Sequence, residues 1–108
     1  MGKKDKLYIG VYLDYYGAML TEHQAGVVRM YYDLDMSLSE IGQEIGISPQ
    51  GVRDTLRRAE ASLTEWEAKL GLVAKTQGLR TLLLDLRDRV DEHDRNRIDR
   101  ALRMLEED

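Results

Sequence analysis

The stretch SLSEIGQEIGISPQGVRDTLRRAE, residues 37–60, carries the signals of two short helices joined by a tight turn. Ser37 stands three residues before Glu40, the capping-box spacing at which each side chain bonds the other residue's free backbone amide. Ser48 followed by Pro49 is a second start signal, because a first-turn proline has no amide to lose and its φ is already helical. One helix therefore begins after each serine.

Two glycines complete the pattern between these caps. Gly42 would let the two helices approach closely, and Gly46 can adopt the positive φ that a tight turn requires. Ile47 follows the turn and is expected to anchor the corner. Together these features predict a helix-turn-helix motif over residues 37–58.

The second helix of the motif has two distinct faces at about 100° per residue. Four apolar side chains share the inward stripe: Val52, Leu56, Ala59 and Leu63. The candidate nucleic-acid-binding residues lie on the opposite side: Gln50, Arg53, Asp54, Arg57 and Arg58. Base edges are read by hydrogen bonds and phosphates are held by cations, so these residue types suit contact with DNA.

The charge of this outer face is small. Three arginines stand against one aspartate, in a chain with a formal net charge of -4. Asp54 and Arg58 also have the i, i+4 spacing of a surface pair, which contributes only about 0.3 to 0.5 kcal/mol. Gly51 offers no side chain for reading bases. The alternative interpretation is therefore an ordinary solvated helix face.

Two helices are predicted before the motif. The first covers residues 6–16, and Gly17 is expected to end it in the left-handed conformation. Thr21 and Gln24 form another capping box, so a second helix begins there and runs to about Asp33.

After the motif the chain stays helical. The fourth helix extends over residues 49–70, longer than a recognition helix needs, and ends at Gly71. Apolar residues then recur at heptad-like spacing: Leu79, Leu83, Leu86, Val90, Ile98, Leu102 and Leu105. Two helices or one kinked helix would fit residues 72–108. The leucines favour a homodimer seam, and the alternative is a hairpin folded back on the first two helices.

Composition narrows the class of protein. A chain of 108 residues without cysteine has room for one modest core and excludes disulfides and thiolate chemistry, which agrees with a cytoplasmic location. Its apolar runs fall far short of the roughly 20 residues that cross a bilayer. The single proline and the helical periodicity predict an all-α fold.

No constellation typical of catalysis or cofactor binding is apparent. His23 and His93 lack second ligands at metal spacing, and no phosphate-binding glycine loop is present. We expect no metal, no cofactor and no enzymatic activity. Four tyrosines could either stack on single-stranded RNA or, as their helical spacing favours, form core: Tyr15, Tyr16, Tyr31 and Tyr32.

Three segments resemble the YlxM-type proteins, which are associated in bacteria with the signal recognition particle: LDYYGAMLTEHQ, YYDLDMSLSEIGQEIGISPQGVRD and RRAEASLTEWEAKLGLV, within residues 13–73. The resemblance implies a helix-turn-helix similar to region 4 of sigma factors, and usually a homodimer. Gln50 and Asp54 match the family pattern, while Pro49 and Gly51 stand where sigma factors place charged residues.

The prediction is therefore an all-α, sigma region 4-like helix-turn-helix bundle with a long fourth helix and a C-terminal helical extension. Residues 1–71 would form the helix-turn-helix domain, and residues 72–108 would join the same compact unit or form the dimer seam. We expect a non-enzymatic DNA-binding regulator of the signal recognition particle pathway. The alternative is a protein- or RNA-interaction module of that particle, with the motif only as scaffold.

Overall fold

The computed structural model describes residues 6–106, which fall into two compact units on either side of the Gly71–Leu72 bond. Every regular element in this range is helical, as the sequence predicts. The first unit contains α1 (Tyr8–Tyr16), α2 (Glu22–Val28), α3 (Leu38–Ile45) and α4 (Pro49–Leu70). The second unit contains α5 (Leu72–Arg87) and α6 (Glu92–Glu106).

The end of α1 differs from the prediction. Gly17 has a φ of -59°, so it is not left-handed, and the chain continues into a 3₁₀ turn over Gly17–Met19. The amide of Leu20 closes this turn on the carbonyl of Gly17 at 3.0 Å. Gly17 is buried, and a Cβ there would lie 3.0 Å from the Leu13 side chain. The glycine therefore serves close packing and not a change of backbone direction.

The second helix begins as predicted, with the reciprocal Thr21–Gln24 capping box. It reaches Asp33, but its last turn, Arg29–Asp33, is a π-helix. Asp35 then takes a positive φ of 53° and turns the chain toward α3. The predicted extent of this helix is correct, and the change of helix type was not predicted.

The helix-turn-helix forms at the predicted positions. The Ser37–Glu40 capping box opens α3, and Gly46 ends it with a φ of 78°. The amides of Gly46 and Ile47 both donate to the Gly42 carbonyl, at 2.8 and 3.0 Å. The turn is therefore held by two backbone hydrogen bonds to one residue.

The core of the first unit is built around α4, on which α1, α2 and α3 all pack. The predicted inward stripe of α4 is buried: Val52, Leu56, Ala59 and Leu63. The opposing helices contribute the other fully buried side chains, chiefly Ile9, Leu13, Tyr16, Val27, Val28 and Ile41. Packing on three sides leaves one face of α4 to solvent.

The C-terminal segment forms two helices that pack on each other, and not one kinked helix. Asp91 caps α6 by accepting from the Asp94 amide at 2.9 Å. Arg87 on α5 bonds both carboxylate oxygens of Asp99 on α6, at 2.6 and 3.4 Å. Arg95 donates to the Arg87 carbonyl at 3.2 Å, so polar contacts also join the two helices.

Candidate nucleic-acid interface

The start of α4 is fixed by its cap. Ser48 Oγ accepts from the Gly51 amide at 3.0 Å, and Pro49 occupies the first turn. The α4 helix ends only at Gly71, whose φ is 64°. Because the first two turns of α4 are tied to α3 through the turn, the side chains on their outer face have defined positions.

The five predicted contact residues are all exposed on this outer face: Gln50, Arg53, Asp54, Arg57 and Arg58. The expected Asp54–Arg58 pair does not form. Asp54 Oδ1 instead accepts from Gln50 Nε2 at 3.1 Å. Gln50 and Arg58 each lie four residues from Asp54, and it is the Gln50 amide that donates to the carboxylate. The charge of Arg58 is therefore not neutralised by a pair with Asp54.

The three arginines keep their charge free. Within residues 6–106, no carboxylate lies within 4.0 Å of Arg53, Arg57 or Arg58. At about 100° per residue, Arg53 and Arg57 lie about 40° apart, and Arg58 lies about 100° further round the helix. Asp54 falls between Arg57 and Arg58. The face thus presents two cations on one side and one on the other.

An open groove of about 460 Å³ runs beside the Arg57 side chain, between the start of α1 and α4. Lys6 also lines this groove and pairs with Glu60 at 3.2 Å. Glu60 is the α4 carboxylate one turn along from Arg57. Lys6 therefore offsets the charge of Glu60 beside Arg57.

Two tyrosines are fixed by carboxylates of α4. Tyr16 donates to Glu67 Oε1 at 2.5 Å, and Tyr32 donates to Glu60 Oε1 at 3.1 Å. Burial, with the negative charge of Glu60 and the hydrogen bond it accepts, raises the pKa of Tyr32 well above 10.0. Tyr16 is fully buried. Tyr16 therefore belongs to the core, as its spacing favours, whereas Tyr15, Tyr31 and Tyr32 are half-buried.

One neighbour of the face was not anticipated. His23 Nε2 on α2 lies 3.4 Å from Thr55 Oγ1 on α4, and the structure places His93 in the other unit. The only sign of this contact in the sequence is that the Thr21 cap places His23 in the first turn of α2. No cluster of three metal-ligating side chains occurs among the described residues. Nor, within them, is any helix long and apolar enough to cross a membrane.

The fold and the capped turn agree with the match to known families. Residues 3–103 match the family UPF0122, described as "Putative helix-turn-helix protein, YlxM / p13 like". The chain belongs to this family. The UPF0122 protein of Symbiobacterium thermophilum is 42% identical over 102 residues, covering 94% of this chain and 95% of its own length. That of Thermoanaerobacter sp. is 41% identical over 104 residues, covering 95% of this chain and 89% of its own.

Membership of UPF0122 extends beyond the motifs that first suggested it. Those motifs end at residue 73, whereas the family match continues through α5 and most of α6. A shorter match is closer in identity: the UPF0122 protein of Caldanaerobacter subterraneus is 51% identical over 73 residues, 68% of this chain and 62% of its own length. The C-terminal helices are therefore part of the family pattern.

Proposed function

We propose that this UPF0122 protein is a non-enzymatic, cytoplasmic nucleic-acid-binding regulator that holds the backbone of duplex DNA through the outer face of α4. The observation that carries the proposal is the set of three exposed, unpaired arginines that follows the helix-turn-helix turn. Arginine suits phosphate because its planar guanidinium can bond two oxygens at once.

The arrangement of the polar groups favours holding the backbone over reading bases. The Gln50 amide and the Asp54 carboxylate bond each other, so neither is free to read a base without breaking that contact. Gly51, in the same turn, has no side chain. Backbone contacts position a protein on DNA without selecting a sequence. We therefore expect binding with little sequence preference.

The salt dependence of binding gives this proposal a magnitude. Each phosphate neutralised on duplex DNA contributes about -0.9 to the slope of log affinity against log salt. Three arginines on each of two protomers make about six contacts and a slope near -5. Affinity should therefore fall steeply between 50 and 200 mM salt.

The test is a titration of random-sequence duplex DNA at several salt concentrations. The combined substitution Arg53→Ala, Arg57→Ala and Arg58→Ala should flatten the slope by about 2 to 3 per chain. The matched control replaces Lys69, Lys75 and Arg89 by alanine, which removes the same charge without changing any residue of this face. An α4 variant with the slope of the wild type would refute the α4 contact.

A homodimer is part of the proposal, and exposed leucines support it. Leu72, Leu79, Leu82 and Leu86 on α5 each leave 44% to 63% of their surface to solvent. They lie within about 80° of one another around the helix at about 100° per residue, as in a dimer seam. Sedimentation equilibrium of the wild type and of a Leu79→Gln, Leu86→Gln variant tests this. A monomeric wild type at micromolar concentration would refute it.

Association with the signal recognition particle rests on the YlxM resemblance alone. The rival function is a protein- or RNA-interaction module of that particle, and the tyrosines bound to α4 carboxylates favour a rigid scaffold for it. Retention by the particle's GTPase or its RNA in a pull-down, together with no DNA binding at low salt, would favour the rival. If neither the GTPase nor the RNA is retained, association with the particle is refuted, whether the protein acts as a DNA-binding regulator or as an interaction module.

A further inference from the structure

The outer face of α6 carries a second row of arginines. Arg97, Arg100 and Arg103 are all exposed and follow one another at three-residue steps. At a rise of about 1.5 Å and a turn of about 100° per residue, the row spans about 9 Å and about 120° of the helix surface. From residue 93 to residue 104 the same arc holds otherwise only His93, Asn96 and Met104. Over residues 93–104 this arc contains no carboxylate, whereas the α4 face includes Asp54.

A contact inside the α5–α6 pair explains why Arg103 forms no ion pair on α6. Asp99 is one turn from Arg103, but Arg87 bonds both oxygens of its carboxylate. That bond also lowers the pKa of Asp99, which therefore stays ionised on the inner side of α6. In the described part of the chain, no carboxylate comes within 4.0 Å of any arginine in the row.

The chemistry of the arc favours a phosphate backbone over a protein surface. Stable protein interfaces are centred on buried apolar or aromatic side chains, and this arc offers only Met104. Three guanidinium groups over about 9 Å match the axial length of roughly three nucleotides of one strand. Arginine without lysine is also the composition expected for bidentate phosphate contact.

We propose that Arg97, Arg100 and Arg103 form a second nucleic-acid contact that holds the phosphates of a duplex through the C-terminal unit. The proposed function supplies only the class of ligand, since the row lies outside the helix-turn-helix and needs none of its residues. The occupant is the sugar-phosphate backbone of duplex DNA or duplex RNA.

The experiment compares full-length variants on random-sequence DNA and RNA duplexes over a range of salt concentrations. The α6 variant replaces Arg97, Arg100 and Arg103 by glutamine, and a second variant replaces them by lysine. The glutamine variant should flatten the log-log slope by about 2 to 3 per chain, because each lost phosphate contact removes about 0.9 on DNA or somewhat less on RNA. The lysine variant keeps the charge and should keep most of the slope. Circular dichroism confirms that each variant is folded.

The outcomes separate this proposal from the α4 contact. A slope that changes in the α6 variant but not in the α4 variant supports the α6 row and refutes the α4 contact. A slope that changes only in the α4 variant supports the α4 contact and refutes the α6 row. The control that removes Lys69, Lys75 and Arg89 should leave the slope nearly unchanged. A control slope as flat as that of the α6 variant would overturn the proposal that the α6 row is a specific contact. Polyglutamate that displaces the duplex at equal charge concentration would identify an acidic protein as the partner. No binding by the wild type at low salt overturns both contacts.

Discussion

Replacing Gly42 by alanine should destabilise the helix-turn-helix, because the new methyl group would meet the turn. A Cβ at this position would lie 2.5 Å from the Ile47 carbonyl oxygen. Contacts below 3.0 Å require movement, and the obstacle here is backbone and not a flexible side chain. The turn resists that movement because the amides of Gly46 and Ile47 both bond the Gly42 carbonyl.

The net effect is a balance of three contributions. Overpacking of this kind costs about 1 to 3 kcal/mol, and loss of one turn hydrogen bond would add about 1 kcal/mol. Alanine recovers about 1 kcal/mol through its higher helix propensity. We therefore expect Gly42→Ala to lower the free energy of unfolding of the first unit by about 1 to 3 kcal/mol.

The assay is urea unfolding followed by tryptophan fluorescence, since the single tryptophan, Trp66, lies on α4. Gly26→Ala is the matched control, because it is also a helical glycine and its Cβ would meet nothing within 4 Å. That control should be neutral or stabilised by up to about 1 kcal/mol. A Gly42→Ala protein as stable as the wild type would refute the close approach of the two helices.

Three further predictions follow from contacts of single residues. Ser48→Ala removes the α4 cap and should cost about 1 kcal/mol in the same urea assay, whereas Ser39→Ala, without a cap bond, should change stability little. Absorbance at 295 nm should show that Tyr32 ionises well above pH 10.0, and Glu60→Gln should lower that midpoint. Because the pKa of Tyr32 is raised in the folded state, its contribution to stability is present below pH 10 and is lost as pH rises. In carboxyl NMR titrations of the full chain, Asp99 should titrate below its ordinary pKa of 3.8. Its contribution to stability is therefore present above pH 3.8 and is lost as pH falls. Arg87→Gln should move the midpoint back up, because the Arg87 hydrogen bond is the largest cause of the shift.

Local backbone signals in the motif were predictable because neighbouring residues decide them. The Ser37 and Ser48 caps, the positive φ of Gly46 and the end of α4 at Gly71 each depend on a few adjacent residues, and all four formed as expected. The inward stripe of α4 was equally predictable, since helical periodicity fixes which side chains share a face.

Features that depend on distant or competing partners were not predictable. Gly17 has the residue type of a left-handed stop, but it lies against Leu13 and begins a 3₁₀ turn. Asp54 has two partners at four residues' distance, and spacing alone does not rank Gln50 against Arg58. The π-helix that ends α2 likewise has no simple signature in the sequence.

The C-terminal leucines show a different limit of periodicity. Leu79, Leu83 and Leu86 share a heptad-like spacing, which predicts one seam. In the structure Leu83 is half-buried while Leu79 and Leu86 are exposed. The pairing of α5 with α6 includes the Arg87–Asp99 bond, which hydrophobic spacing does not predict. Hydrophobic spacing alone therefore cannot assign which residues face a neighbouring helix and which stay in solvent.

The net negative charge of the chain is a poor guide to its partners, because some of its carboxylates are paired locally with cations and its charges are unevenly distributed. Glu60, Glu65, Asp85 and Asp99 each lie within 4.0 Å of a lysine or arginine. At physiological salt the screening length is about 8 Å, so a phosphate responds mainly to the charges nearest to it. The outer faces of α4 and α6 each carry three unpaired arginines, and the α4 face also carries Asp54. A chain of net charge -4 can therefore present two positive surfaces, and the distribution of ion pairs decides this, not the total.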